Sequence, residues 1–134
     1  MILVVCLDER KGMLFNNRRL SRDRLLIEDL LKHKGDAPLY IAPFSKALFA
    51  KYPGAVIEAE DPLTAAGADD YVFNEHLDAS PHLDRITSVI IYYWNRHYPS
   101  DMTFNLDMSS VHLSSTTEFV GSSHEKITKE VWNR

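Results

Sequence analysis

Short β-branched apolar runs alternate with helix-patterned segments through the first half of this chain, and that alternation narrows its fold more than any other feature. Ile2–Leu7 is apolar, rich in β-branched residues and stopped by Asp8-Glu9, which reads as a buried strand. Residues 10–20 read as a loop, with Gly12 and the Asn16-Asn17 pair as turn residues. Ser21 is placed to cap a following helix, its hydroxyl accepting from a free amide of the first turn. Leu26, Ile27, Leu30 and Leu31 repeat at helical spacing and define an apolar face. Lys32, His33 and Lys34 put positive charge at the carbonyl end, and Gly35 stops the helix. A short strand over 39–42 follows, then a helix opened by Pro43 and Ser45 and closed near Tyr52-Pro53-Gly54. Residues 55–59 read as a third strand. Asp61-Pro62 begins a short helix that Gly67 stops, with aspartate as cap and proline at the first helical position. Residues 71–73 are a fourth strand, so the first half predicts a largely parallel sheet.

The second half changes character. Residues 88–96 form a long strand that holds Tyr92, Tyr93 and Trp94, and Pro99-Ser100-Asp101 turns the chain. Residues 111–120 alternate, with Val111, Leu113, Ser115, Thr117 and Phe119 on one side. Gly121-Ser122-Ser123 is a turn, after which Ile127, Lys129 and Val131 alternate. These two strands predict a hairpin added antiparallel to the sheet. The expectation is a single α/β domain over 1–134, with a mixed, mostly parallel central sheet between layers formed by about three or four helices.

The chain has 134 residues, enough for one core, and a formal net charge of −4, which does not favour nucleic acid. Its longest apolar run, 89–94, is far too short to cross a bilayer. The first strand lacks a basic start and a small-residue cleavage pattern, so no signal peptide is read there. Cys6 is the single cysteine, which excludes an internal disulfide and a multi-cysteine zinc site. Together these predict a cytoplasmic location. Lys11, Arg18, Arg19, Arg22 and Arg24 crowd one stretch, read as a solvated helix start in preference to an anion site.

The order of several segments resembles the dihydrofolate reductase family. Asp8 and Gly12-Met13 look like its first strand and following mobile loop. Residues 20–23, Leu-Ser-Arg-Asp, look like the entry to its first helix, where the family carries a substrate-binding acid. Residues 71–73 resemble the strand before its glycine pair, and Asp101-Met102-Thr103-Phe104 resembles its Asp-Thr-x-Phe segment. Thr117-Glu118-Phe119 and Ser123-His124 resemble its final hairpin. The resemblance implies the reductase-like fold. It also implies NADPH as cofactor, but the residues at the cofactor positions depart from the family's. The family's Gly-Arg-x-Thr/Ser run is replaced by Ala42-Pro43-Phe44-Ser45, which loses an amide donor and a guanidinium. Its glycine pair is replaced by Asn74-Glu75-His76, setting a carboxylate where pyrophosphate would approach. The Pro-Trp of the family's loop is absent, and the middle stretch that would hold the adenine end is shorter. No cofactor is therefore expected. The chain is also similar to a group of short clostridial-type proteins sometimes carried under a ribonuclease Z label. That label implies a His-x-His-x-Asp-His cluster for two zinc ions, and no such spacing occurs, so no metal is expected.

By the resemblance, Asp23 is the catalytic candidate: it faces the crevice of the sheet and binds a cationic or amidine-like ring edge through both oxygens. The alternative is a first-turn aspartate on the helix dipole or in a solvated pair with Arg22 and Arg24. Val4, Ile27 and Tyr92 join Asp23 as ligand-binding candidates. Asn74, Glu75 and His76 follow a strand end, where open α/β sheets place ligands, and a Glu-His pair suits acid–base work. Ser45 is a candidate for binding an anion, with helix capping as its other reading. Cys6 is read as a buried, inert thiol, and His124-Glu125 as facing solvent. The leading expectation is a divergent reductase-like protein that binds a small molecule or catalyses an unassigned reaction. The alternatives are a reductase of a pterin-like substrate with an atypical cofactor, a homodimeric interaction module paired through the aromatic strand or the C-terminal hairpin, and, last, a nuclease.

Overall fold

The computed structural model describes residues 1–15, 18–19, 23–95, 100 and 102–134, and of residues 15, 18 and 19 the backbone alone. The elements in chain order are β1 (Ile2–Leu7), β2 (Gly12–Phe15), β3 (Arg18–Arg19), α1 (Arg24–Lys34) and β4 (Leu39–Ile41). Two 3₁₀ segments, Pro43–Phe49 and Pro53–Ala55, lead into β5 (Ile57–Glu58), α2 (Pro62–Ala65) and β6 (Tyr71–Phe73). A third 3₁₀ segment, Ser80–Arg85, precedes β7 (Ser88–Tyr93), β8 (Met102–Thr103), β9 (His112–Phe119) and β10 (Ile127–Asn133).

The described strands form a seven-stranded sheet in the order β5-β4-β6-β1-β7-β10-β9. β1 pairs parallel with β6 and β7, β4 pairs parallel with β5 and β6, and β10 pairs antiparallel with β7 and β9. This is the expected mixed sheet with an antiparallel C-terminal hairpin. The aromatic strand β7 lies between β1 and β10, so it offers no edge to another copy. β2 and β3, within the segment read as a loop, form a second, three-stranded sheet with β8. β2 and β3 were hidden because so short a pair shows no alternation.

Successive residues of β1 point to opposite faces, and each face has its own core. Leu3, Val5 and Leu7 pack with Leu63, Ile86 and Val89 on one side. Val4 packs with Leu26, Leu30, Ile41, Phe73 and Ile90 beneath α1 on the other. Leu26, Ile27 and Leu30 are the buried stripe of α1, each contributing about 1.5–3 kcal/mol of apolar burial.

Several boundaries differ from expectation. Ser21 and Arg22 lie outside the described residues, and Asp23 is the N-cap of α1, accepting from Leu25 N and Leu26 N. A carboxylate answers the open amides and the positive helix end together. Gly35 closes the helix at φ 56°, a conformation other residues adopt only with strain. The helix expected from Pro43 is the 3₁₀ segment Pro43–Phe49, and the strand expected over 55–59 shrinks to Ile57–Glu58. The Asn16-Asn17 turn, Arg96, Pro99 and Asp101 lie outside the described residues. In β9 the even alternation is broken. Ser115 pairs with Val131 but Leu113 pairs with Trp132, so a bulge turns Leu113 to the opposite face from Ser115.

Candidate functional site

Of the candidate residues, Asp23, Ile27 and Glu75 border one small cavity at the N-terminus of α1. Asp23 is the centre, and it is almost fully buried. Its Oδ1 accepts from Leu25 N at 3.0 Å, Leu26 N at 3.3 Å, Ser122 N at 2.9 Å and Ser122 Oγ at 3.1 Å. Its Oδ2 accepts from Ser123 N at 2.8 Å and Ser123 Oγ at 3.2 Å, and lies 3.3 Å from His124 Nδ1. Burial alone would raise the Asp23 pKa. The amides of Ser123 and Ser122, then His124 and Leu26, outweigh it and hold the carboxyl far below the ordinary carboxylate range. The carboxylate thus ties the helix start to a turn about a hundred residues away in sequence.

The turn is built for that approach. Gly121 N donates to His124 O at 3.0 Å and closes it. A Cβ on Gly121 would collide with Asp23 Oδ2 and meet Ile127 Cδ1 at 2.7 Å, so only glycine fits. His124, expected in solvent, is buried and stacks on Trp94 with ring centroids 4.4 Å apart. Ser123 Oγ meets His124 at 3.4 Å on Nδ1, the same nitrogen that faces Asp23. A serine–histidine–aspartate relay needs its partners on opposite ring nitrogens, so this cluster is not one. In the sequence Ser122 and Ser123 read only as turn residues and His124 as facing solvent, since nothing local marks their contact with Asp23.

Between Asp23, Cys6, Glu75, Phe73 and Trp94 the structure leaves a cavity of about 20 Å³, room for one water. Part of Cys6 stays accessible, yet burial pushes its thiol well up, with Glu75 and Asp23 adding to the effect. Ser45 is buried, and its Oγ donates to Glu75 Oε1 at 2.7 Å, joining the two strand ends. Ser45 does not cap its own segment, which has no side-chain cap. Asn74 makes an Asx turn: its Oδ1 accepts from Leu77 N at 2.9 Å and His76 N at 3.3 Å, and its Nδ2 donates to Leu77 O at 2.7 Å. His76 lies against Phe44 with centroids 4.9 Å apart, and its Nδ1 is buried without a hydrogen-bond partner among the described residues. Burial lowers its pKa, with Glu75 opposing.

Val4 and Tyr92 belong to the core under α1, both at 0% exposure. Tyr92 donates through its hydroxyl to Asp29 Oδ2 at 2.6 Å, and Lys129 Nζ reaches the same oxygen at 2.9 Å. Burial, then the bond to Asp29, drives the Tyr92 pKa far above the ordinary phenol range. Ile27 reaches an outer cleft of about 200 Å³ between α1 and residues 47–52, whose mouth carries Arg24, Lys51 and Tyr52. Glu28 accepts there from Arg24 Nη1 and from the Tyr52 hydroxyl, each at 3.0 Å. An open groove of about 770 Å³ runs between Pro43–Phe49 and β5, with Lys46 and Glu58 4.0 Å apart across it. On the other face, Met13, Met102 and Phe104 line a pocket of about 280 Å³. Among the described residues no group of three or more His, Cys, Asp or Glu is placed to hold a metal ion. None of the described helices is long and apolar enough to cross a membrane.

No family model matches the sequence, and no curated protein matches it. Among solved structures it is similar to dihydrofolate reductase from Enterococcus faecalis, complexed with NADP(H) and RAB-propyl. The TM-score is 0.66 at 10% identity, over 99% of this chain and 95% of that chain. This chain is a divergent protein with the dihydrofolate reductase-like fold.

Proposed function

We propose that this protein is a small-molecule-binding member of the dihydrofolate reductase-like fold that does not use NADPH, with its ligand in the outer cleft between α1 and residues 47–52. The observation that carries the reading is the hydrogen bond from Ser45 to Glu75 at 2.7 Å. It joins the two segments that, by resemblance, cradle the dinucleotide phosphates in the reductases. A phosphate needs open amides and positive charge there. Pro43 offers neither, the Ser45 hydroxyl is already donated, and Glu75 sets a carboxylate at the approach. The residues therefore do not fit the dinucleotide.

Asp23 in this reading positions the cleft wall and does not contact the reacting atoms. Both of its oxygens are engaged by the chain's own donors, and the cavity beside it admits no ring. The outer cleft pairs an apolar floor at Ile27 and Leu48 with a rim bearing Lys51 and Arg24, the latter paired with Glu28. That suits a small apolar body carrying an anionic group. Native mass spectrometry of freshly purified protein is expected to find such a compound, and intrinsic-fluorescence titration is expected to find no NADPH binding. Micromolar NADPH affinity together with dihydrofolate turnover would sink the reading.

A further inference from the structure

We infer that the free edge of β9 is a self-association surface, on which a second copy of this chain pairs its own β9 antiparallel across a two-fold axis at Thr117. β9 is eight residues long, lies at the end of the sheet, and pairs only with β10 among the described strands. Its residues 112–118 are all exposed. An open edge presents a row of unpaired amides and carbonyls, and proteins that stay monomeric commonly blunt it with lysine, proline or a covering loop. His112–Phe119 contains no lysine and no proline, and its centre is Ser-Ser-Thr-Thr.

The second observation is where the exposed apolar side chains fall. Among the described residues three large hydrophobics are exposed, and two of them belong to this edge: Leu113 at 48%, near the start of β9, and Val120 at 71%, just past its end. In an unbroken strand residues an odd number apart face opposite ways. The bulge removes that conflict. Leu113 shares the face of Trp132, while Thr116 and Glu118 share the faces of Glu130 and Thr128. Trp132 and Val131 are neighbours on β10 and belong to the two opposite cores. Leu113 therefore lies on the face of Thr116 and Glu118, and alternation carried one residue past Phe119 brings Val120 to it.

That arrangement selects one register. Strands related by a two-fold axis normal to the sheet pair residues of the same face. With Thr117 on the axis, Thr116 meets Glu118, Ser115 meets Phe119, and the bulged Leu113 meets Val120, each pair occurring twice. Thr117 meets its own copy, a favourable cross-strand pair. Centring on Thr116 would set Leu113 against Glu118, and centring on Glu118 would set like charges opposite. The Thr117 register alone covers both exposed apolar residues while separating the two Glu118 carboxylates. The occupant is a second copy because the strand complements itself.

Analytical ultracentrifugation of the full chain tests this, with a concentration-dependent dimer expected below about 100 μM. Leu113→Lys and Val120→Lys are each expected to weaken it by roughly tenfold or more, with the circular dichroism spectrum unchanged. Ile57→Lys, on the opposite sheet edge, is expected to leave it intact. Thr117→Cys reports the register: under mild oxidation it is expected to cross-link to itself faster than Glu118→Cys, since facing pairs suit disulfide geometry and diagonal ones do not. A wild-type monomer at that concentration, a dimer that survives the double lysine variant, or faster cross-linking through Glu118→Cys would overturn the inference. Ligand binding in the outer cleft is read separately and does not depend on the outcome.

Discussion

Asp23 Oδ2 accepts the backbone amide of Ser123 at 2.8 Å, so one carboxylate both caps α1 and clasps the turn of the C-terminal hairpin. Asp23→Asn is expected to keep the cap but to aim an amide donor at the donors of the turn. Losing charge-assisted bonds and leaving a buried donor unmet is expected to destabilise the fold by about 3 kcal/mol, read by urea denaturation.

The same carboxylate sets an acid limb of stability. Its folded pKa lies well below the unfolded value of about 3.9, so its contribution is complete above that value. It is lost as pH falls below about 4 towards the folded pKa. Thermal melts between about pH 2 and 6 are expected to show this loss in the wild type and a flatter limb in Asp23→Asn.

His76 works at higher pH. Burial lowers its folded pKa, so folding favours the neutral ring, and the stability this gives is present above the unfolded value near 6.5. It fades as pH falls from about 6.5 towards the folded pKa. His76→Phe removes the unpartnered Nδ1 and keeps the contact with Phe44. A gain of about 1 kcal/mol and a weaker pH dependence between about pH 5 and 7 are expected in denaturation curves.

Gly121→Ala forces a Cβ against Asp23 Oδ2 and Ile127 Cδ1, both fixed by their surroundings. A loss of about 2–3 kcal/mol is expected. Gly54→Ala is the control, because a Cβ there meets nothing within 4 Å, and its melting temperature is expected to stay within error of the wild type.

Cys6 reports the closure of the small cavity. Its thiol is pushed well above its ordinary pKa, so little thiolate exists at neutral pH. Labelling by a chromogenic disulfide is expected to run roughly a hundredfold slower in native protein than in urea. Comparable rates would mean that the crevice stands open.

The sequence by itself determined the order of strands and helices around the seven-stranded sheet, but not the short strands β2, β3 and β8. Ile2–Leu7 and the apolar core of β7 are continuous because they are buried on both faces, and that pattern is written locally. It also determined the C-terminal hairpin, since two alternating runs around a Gly-Ser-Ser turn have few other ways to bury one face. Asp23 was legible as a residue of interest, and Glu75 as an odd acid after a strand. What each contacts was decided only by the tertiary structure. Ser122, Ser123 and His124 reach Asp23 across about a hundred residues, and no local pattern encodes so distant a contact. Tyr92 turned to Asp29, and Leu113 changed face through one extra residue, because register and burial are fixed by the neighbouring strand and helix.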